Sequence, residues 1–248
     1  YLKKQIQALK QQGLSIGFVP TMGALHQGHI SLIEKALSSC DKVVVSIFVN
    51  PTQFDNPEDL EKYPRTLEED VKRIQALSEE VIIFSPPANE IYGNEIISEH
   101  FSFDGLENEM EGKYRAGHFN GVGTIVKKLF EMVEPDKAFF GEKDYQQLQI
   151  IKKLVEKQHL SVEVIGCPID REISGLARSS RNERLSPAQR QNASVIYKIL
   201  QEVKKDFGTK SASELTSWVI GKFREESDLE LEYFEIANAD TLKTVQEK

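Results

Sequence analysis

The chain has 248 residues, of which 40% are hydrophobic and 28% charged, and its formal net charge is −8. This composition is typical of a globular protein with one large or two modest domains, and no apolar run reaches the roughly 18 residues of a membrane-spanning helix. An acidic chain argues against a nucleic-acid backbone as the main partner. We therefore expect a protein that binds neither membranes nor nucleic acid. Cys40 and Cys167 are too few for a disulfide framework, and we expect them to be buried free thiols of a cytoplasmic protein.

Short apolar runs alternate with amphipathic stretches over the first two-thirds of the chain. The amphipathic stretches repeat apolar residues every three or four positions, as at Ile30, Ile33 and Leu37, which is typical of helices that cover a sheet. Strands that alternate with helices predict an α/β fold, a Rossmann-like doubly wound parallel sheet over residues 1–169. The predicted strands are Leu14–Val19, Lys42–Val49, Val81–Phe84, Asp136–Phe140 and Val162–Cys167.

The pattern changes after Pro168, where a stretch rich in Arg, Ser and Gly leads to two helical patterns and one strand pattern. The helices are predicted at Pro187–Phe207 and Ala212–Glu226, and the strand at Leu229–Ile236. Residues 170–248 are therefore predicted to form a smaller α+β C-terminal domain.

Ligands of open parallel sheets bind beyond the carboxyl ends of the strands, and the segment Pro20–His29 follows the first predicted strand. Gly23 and Gly28 leave room for a close backbone approach. His26 and His29 stand where a helix begins, and a helix N-terminus favours phosphate. Two imidazoles there could donate hydrogen bonds to phosphate oxygens; zinc binding and simple helix capping are the alternatives.

Two more polar segments follow predicted strands. Asn50–Phe54 offers amides that can select a substrate hydroxyl, although Asn-Pro is also ordinary turn chemistry. In Gly141–Gln147, Lys143 and Gln147 share one helix face. A cation in a first helical turn is disfavoured by the helix dipole unless an anion such as phosphate shares the site; a solvated helix face is the alternative.

The segment Ser179–Asn182, approached through Gly175, combines two hydroxyls with a guanidinium and predicts a mobile clamp for phosphate oxygens. A phosphorylated or disordered Ser/Arg loop is the alternative. The Gly-rich segment Tyr114–Gly123 either lines the site or caps a helix. Glu68, Glu69 and Asp70 begin a helix, where acids are favourable without any metal, and magnesium binding is the functional alternative.

Together and in this order, these segments resemble the pantothenate synthetase family. Its signatures are similar to those of the wider nucleotidylyltransferase superfamily, which includes class I aminoacyl-tRNA synthetases. The matching stretches are Pro20–His29, Asn50–Phe54, Tyr63–Thr66, Gly117–Phe119, Gly141–Gln147 and Ser179–Asn182.

The resemblance implies an enzyme that joins (R)-pantoate to β-alanine with ATP and Mg²⁺, through a pantoyl-adenylate, and releases AMP and pyrophosphate. It also implies a cytoplasmic homodimer whose small C-terminal domain closes over ATP. Family members continue beyond Thr241 and Leu242, so an incomplete C-terminal domain is expected in this sequence. Arg178 departs from the family, which usually has an apolar residue there.

The resemblance also assigns residues by position. Gln53 and Gln147 would bind pantoate, and Glu69 and Asp70 would lie near a metal. The catalytic group that binds the phosphates would be His26, His29, Lys143, Ser179, Ser180 and Arg181, joined around ATP by Met22, Gly28, Gly141 and Asp144.

Two other functions compete with this one. One is another adenylyl-transferring enzyme, such as a nucleotide-cofactor adenylyltransferase or a tRNA synthetase fragment. A tRNA enzyme would need a basic tRNA surface and an anticodon module, which the sequence does not display. The other is a non-catalytic nucleotide-binding protein, a function that does not explain the presence of Gln53, Lys143 and Gln147.

Overall fold

The computed structural model describes residues 1–226 and 228–245, and the chain divides into two compact units, Tyr1–Ile169 and Asp170–Lys248. The first unit contains five parallel strands in the order β3-β2-β1-β4-β5, so the predicted doubly wound parallel sheet is confirmed. The strands are β1 (Ile16–Thr21), β2 (Lys42–Ile47), β3 (Ile82–Phe84), β4 (Lys137–Gly141) and β5 (Glu163–Cys167).

The strand order reverses direction between β1 and β4. Ile16 pairs with Lys42 on one side of β1, and Gly17 pairs with Lys137 on the other. The segments that follow β1 and β4 therefore pass to opposite faces of the sheet, and a crevice opens between them at the carboxyl ends of these two strands. The segments that follow Thr21 and Gly141 both begin at this crevice.

Seven helices belong to the first unit, all of whose residues are described. In β2 the side chains of Val43, Val45 and Ile47 point to one face, where they form a buried core with Ile33 and Ile74 from two of these helices. Burial of alternating β-branched side chains on a helical layer explains why this segment forms a strand. The helices are α1 (Leu2–Gln11), α2 (Gln27–Leu37), α3 (Pro57–Glu61), α4 (Leu67–Leu77), α5 (Ala88–Tyr92), α6 (His118–Val133) and α7 (Tyr145–Lys157).

The second unit contains α8 (Pro187–Asn192), α9 (Ser194–Asp206) and α10 (Ala212–Glu225). The long helix predicted from Pro187 to Phe207 is thus two helices that meet at Ala193. The core of this unit consists of Ile199 and Val203 from α9 and Leu215 and Val219 from α10.

The predicted strand at Leu229–Ile236 is wrong. These residues have no regular secondary structure, although Leu231, Phe234 and Ile236 pack on the core of α9 and α10. A strand is stabilised by hydrogen bonds to a neighbouring strand, and within the described ranges of this unit there are only isolated bridges, such as Ala237 with Thr244. The alternating apolar residues are therefore buried without forming a sheet.

Both cysteines are free thiols: Cys167 is buried as expected, whereas Cys40 is half-exposed. No helix within the described residues is both long and apolar enough to cross a bilayer.

Candidate active site

The two predicted histidines lie together where α2 begins. His26 is the N-cap residue of α2, and His29 occupies the third helical position. Their ring centroids are 4.0 Å apart, and the backbone N–H of His26 donates to His29 Nδ1 at 3.2 Å. This hydrogen bond makes Nδ1 an acceptor, so the proton of a neutral His29 is on Nε2.

The pKa of His29 falls from 6.5 to about 3 because the ring is withdrawn from water, with smaller contributions from the charges of His26 and Lys143. A neutral His29 presents Nε2–H as its only remaining donor. The effect of Lys143 also means that the ammonium after β4 lies within electrostatic reach of the imidazole after β1. The first and third predicted segments therefore both lie at the crevice between these strands, within electrostatic range of each other.

His29 gives a testable dependence of stability on pH. Its folded pKa of about 3 lies below the unfolded value of 6.5, so the unfolded chain binds its proton first as the pH falls. The contribution of His29 to the free energy of unfolding is complete above about pH 6.5. It declines toward pH 3 by up to about 1.4 kcal/mol per pH unit. Urea unfolding measures the free energy of unfolding at about pH 7 and pH 4.5. This free energy should fall less between the two pH values in His29→Gln than in wild type, and an equal fall in both proteins would contradict this role.

Lys143 lies in a 3-10 turn, Glu142–Asp144, between β4 and α7. Its Nζ is 3.0 Å from Asp144 Oδ1, and both side chains are substantially exposed. Gly141 is the last residue of β4. The ammonium is thus held at the mouth of the crevice rather than buried, where it can meet an incoming anion.

Gln53 ends a 3-10 turn, Pro51–Gln53, that follows β2. Its Oε1 accepts from Asn50 Nδ2 at 3.1 Å, and its Nε2 lies 3.1 Å from Met22 Sδ. Asn50 is almost fully buried and also donates to the carbonyl of Gly121 at 3.2 Å. The predicted residues Met22 and Gln53 are therefore in contact, and Asn50, which we did not assign, orients the amide.

The Gly-rich segment packs directly on the Gln53 turn. His118 Nδ1 donates to the Gln53 carbonyl oxygen at 2.8 Å, and burial is the main cause that lowers the pKa of His118. A Cβ on Gly121 would lie 2.2 Å from the carbonyl oxygen of Thr52. Sequence reasoning left this segment open between lining a site and capping a helix, and its glycines at a helix start were the available signal. In the structure Gly117 is the N-cap residue of α6 and His118 lines a cavity, and the segment has a third role as well, the support of the Gln53 turn.

Gln147 lies in the first turn of α7 and is half-buried. Its neighbour Gln146 is buried and bonds three backbone groups, those of Leu106, Glu109 and Glu111. Gln146 thus ties α7 to the preceding loop, while the side chain of Gln147 makes no hydrogen bond to any described residue. Gly28 lies in the first turn of α2.

Ser179, Ser180 and Arg181 belong to the second unit. The Ser179 hydroxyl accepts from the backbone N–H of Arg181 at 3.3 Å and caps a 3-10 turn, Ser180–Arg184. Arg178, the departure from the family pattern, forms an ion pair with Asp170 at 2.6 Å.

Packing explains Gly175, although the sequence predicts that this glycine makes the approach to Ser179–Asn182 mobile. Its φ is +90°, and a Cβ there would lie 2.2 Å from the Tyr197 ring. Arg171 stacks on that same ring at 4.0 Å. Glycine is needed here because the ring leaves no space, so its presence is not a sign of a flexible approach.

Glu69 and Asp70 do not fit as a pair of metal ligands. Glu69 is exposed, whereas Asp70 is buried and its two oxygens accept from the backbone N–H groups of Ala24 and Leu25. Among the described residues there is no group of three His, Cys, Asp or Glu side chains arranged to hold a metal. The buried carboxylate therefore belongs to the turn before His26.

A cavity of about 220 Å³ lies beside the Gln53 turn. Gln53 and His118 line it, together with Asp55, Glu99 and His100. His26, His29 and Lys143 do not line this cavity, so it is distinct from the crevice between β1 and β4.

A doubly wound parallel sheet with imidazoles and an ammonium at its switch point defines a nucleotide-binding protein of the nucleotidylyltransferase-like fold. A family model described as pantoate-β-alanine ligase matches residues 1–248. The chain belongs to that family.

Similar proteins agree with this assignment. A pantothenate synthetase of Christiangramia forsetii is 61% identical over 100% of this chain and 87% of its own length. The structure of pantoate-β-alanine ligase from Thermus thermophilus has a TM-score of 0.88 at 39% identity, over 94% of this chain and 85% of that one. The structure of pantoate-β-alanine ligase from Francisella tularensis, solved in complex with β-γ ATP and β-alanine, has a TM-score of 0.76 at 42% identity. The match covers 88% of this chain and 83% of that one.

Proposed function

We propose that this chain is an ATP-dependent pantoate–β-alanine ligase that works through a pantoyl-adenylate. The observation that carries the proposal is that the His26–His29 pair and Lys143 lie at the crevice between β1 and β4 within electrostatic range of each other. Membership of the pantoate-β-alanine ligase family supports the substrates. The imidazoles of His26 and His29 and the ammonium of Lys143 are groups suited to binding a triphosphate. The contact between Met22 and Gln53 is suited to binding the hydroxy acid beside it.

The first step joins pantoate to AMP. A carboxylate oxygen of pantoate attacks the α-phosphorus, and the bond from phosphorus to the bridging oxygen breaks to release pyrophosphate. Negative charge grows on that oxygen, where Nε2–H of His29 and the ammonium of Lys143 stabilise it. Each preorganised donor of this kind is worth roughly 10²–10³ in rate. By the resemblance, His26, Ser179, Ser180 and Arg181 join them on the phosphates, with Gly28, Gly141 and Asp144 at the nucleotide.

The second step joins the acid to the amine. The β-alanine nitrogen attacks the acyl carbon, the bond from carbon to the AMP oxygen breaks, and the nitrogen loses a proton. Gln53, and by the resemblance Gln147, hold the pantoyl group in place for this attack. Positioning of the two reactants supplies much of the barrier reduction. No side-chain nucleophile is required.

Magnesium, the homodimer and the cytoplasmic location belong to the same proposal and rest on the resemblance. Because Asp70 is committed to the turn, Mg²⁺ would be held mainly by ATP phosphates, as is usual for this ion.

Product analysis with oxygen-18 tests the proposal. Purified protein with ATP, β-alanine and pantoate labelled in its carboxylate should yield pantothenate, pyrophosphate and AMP that carries one labelled oxygen. The label reaches AMP because the amine displaces the carboxylate oxygen bonded to phosphorus. Formation of ADP and labelled phosphate would contradict the adenylate, and ATP cleavage that does not depend on pantoate would contradict the substrate.

A further inference from the structure

The carboxylate of Asp70 holds a turn that is distant in sequence. Asp70 lies in α4 and is 2% exposed. Its Oδ1 accepts from the backbone N–H of Leu25 at 2.7 Å, and its Oδ2 accepts from that of Ala24 at 2.9 Å. The hydroxyl of Thr66 donates to Oδ2 at 3.2 Å. A carboxylate used in this way orders the turn by satisfying two backbone donors at once.

The turn needs such support because its backbone conformation is unfavourable. Ala24 has a φ of +49°, in the left-handed region that residues with a side chain rarely adopt. Gly23 before it has a φ of +80°, and a Cβ there would lie 3.1 Å from Asp70 Oδ2. The carboxylate therefore packs against the turn as well as bonding to it.

Arg73 holds the same turn from its acceptor side. Its guanidinium donates to the carbonyl oxygen of Leu25 at 2.5 Å. Asp70 and Arg73 are three residues apart on α4 and share one face of that helix. Together they fix both the N–H and the C=O of the residue that immediately precedes His26.

We infer that Asp70, assisted by Arg73, is a positioning residue for the His26–His29 pair. His26 begins α2 directly after the held turn, and the His26 N–H sets the tautomer of His29. A displaced turn moves both imidazoles and releases Nδ1 of His29. The inference rests on the proposed function only in assigning these imidazoles to the reaction.

A metal-binding Asp70 and a positioning Asp70 behave differently on replacement. Asp70→Asn keeps the size of the side chain and one acceptor oxygen, but its NH₂ group faces a backbone N–H that then lacks an acceptor. The matched control is Glu68→Gln, an exposed acid in the first turn of the same helix. Steady-state assays would compare kcat, the KM for β-alanine and the Mg²⁺ concentration for half-maximal activity.

We expect Asp70→Asn to lower kcat about 30-fold, since a misplacement of about 1 Å can cost up to roughly 10²-fold. The KM for β-alanine and the half-saturating Mg²⁺ concentration should stay within about twofold of wild type, and Glu68→Gln should match wild type. Wild-type kcat in Asp70→Asn, or its recovery at high Mg²⁺, would overturn the inference. Lack of ligase activity in wild type would instead count against the proposed function.

Nitrogen-15 NMR of the imidazoles tests the same inference without activity. Wild-type His29, assigned with His29→Gln, should show the Nε2–H tautomer and no titration between about pH 5 and 8. In Asp70→Asn both tautomers of His29 should be populated, and the pH at which His29 titrates should rise. If Asp70→Asn fails to fold, Arg73→Met should show the same changes. Unchanged His29 signals in the folded variant would overturn the inference.

Discussion

Replacement of Lys143 by alanine is expected to lower kcat by about 10²–10³ while the protein stays folded. The ammonium stands at the crevice between β1 and β4, where its charge reaches His29. Removal of a preorganised cation from the place where negative charge develops costs roughly that factor. The Lys143–Asp144 ion pair is substantially exposed, so its loss should change the free energy of unfolding by less than about 1 kcal/mol.

The control for this change is Lys152→Ala, which removes an exposed lysine from α7 and should leave kcat unchanged. Single-turnover release of pyrophosphate in the absence of β-alanine separates the adenylation step from later steps, and urea unfolding measures stability. Lys143→Arg should recover little of the kcat that Lys143→Ala loses, because a guanidinium is planar and larger than an ammonium. A folded Lys143→Ala enzyme with wild-type single-turnover rates would show that Lys143 is only a surface side chain.

Replacement of Gly121 by alanine is expected to lower kcat/KM for pantoate by about 100-fold. An added Cβ would lie 2.2 Å from the carbonyl oxygen of Thr52 and 2.5 Å from its carbonyl carbon. These are backbone atoms, so no rotamer change relieves the clash, and the turn that carries Gln53 must move. A displacement of about 1 Å at a binding group has this order of effect, and the strain should lower stability by about 1–3 kcal/mol.

The matched control is Gly221→Ala in α10, where an added Cβ meets no atom within 4 Å. That change should be neutral or stabilising by up to about 1 kcal/mol, since alanine is the better helix former. Kinetics with pantoate as the varied substrate and urea unfolding measure both variants. If Gly121→Ala keeps wild-type kcat/KM, the packing of α6 on the Gln53 turn has no part in pantoate binding.

Most of the sheet was predictable because its strands carry a local signal. Lys42–Val49 was predicted as a strand and β2 covers Lys42–Ile47; Val81–Phe84 was predicted and β3 covers Ile82–Phe84. Runs of β-branched residues buried on both faces identify a strand without knowledge of its neighbours. The predicted strand Leu229–Ile236 has a similar alternation but finds no partner strand among the described residues, and a local pattern cannot supply one.

The site was predictable to the level of segments but not of individual roles. His26, His29 and Lys143 stood out because imidazoles and a cation at helix starts are costly without a ligand. The resemblance places Asp70 near a metal, and the sequence alone predicts only an acid that begins a helix; only the fold brings its carboxylate to Ala24 and Leu25. The roles of Asn50 and Gly121 were missed for the same reason.

The sequence by itself determined the alternation of strands and helices, the parallel sheet and the polar segments at its carboxyl edge. These follow from hydrophobic period and local propensity, which act over a few neighbouring residues. Only the tertiary structure decided that α4 holds the turn before His26 and that α6 supports the turn of Gln53. Such contacts join residues about 45 to 65 positions apart, and their hydrogen bonds exist only once the chain has closed around its core.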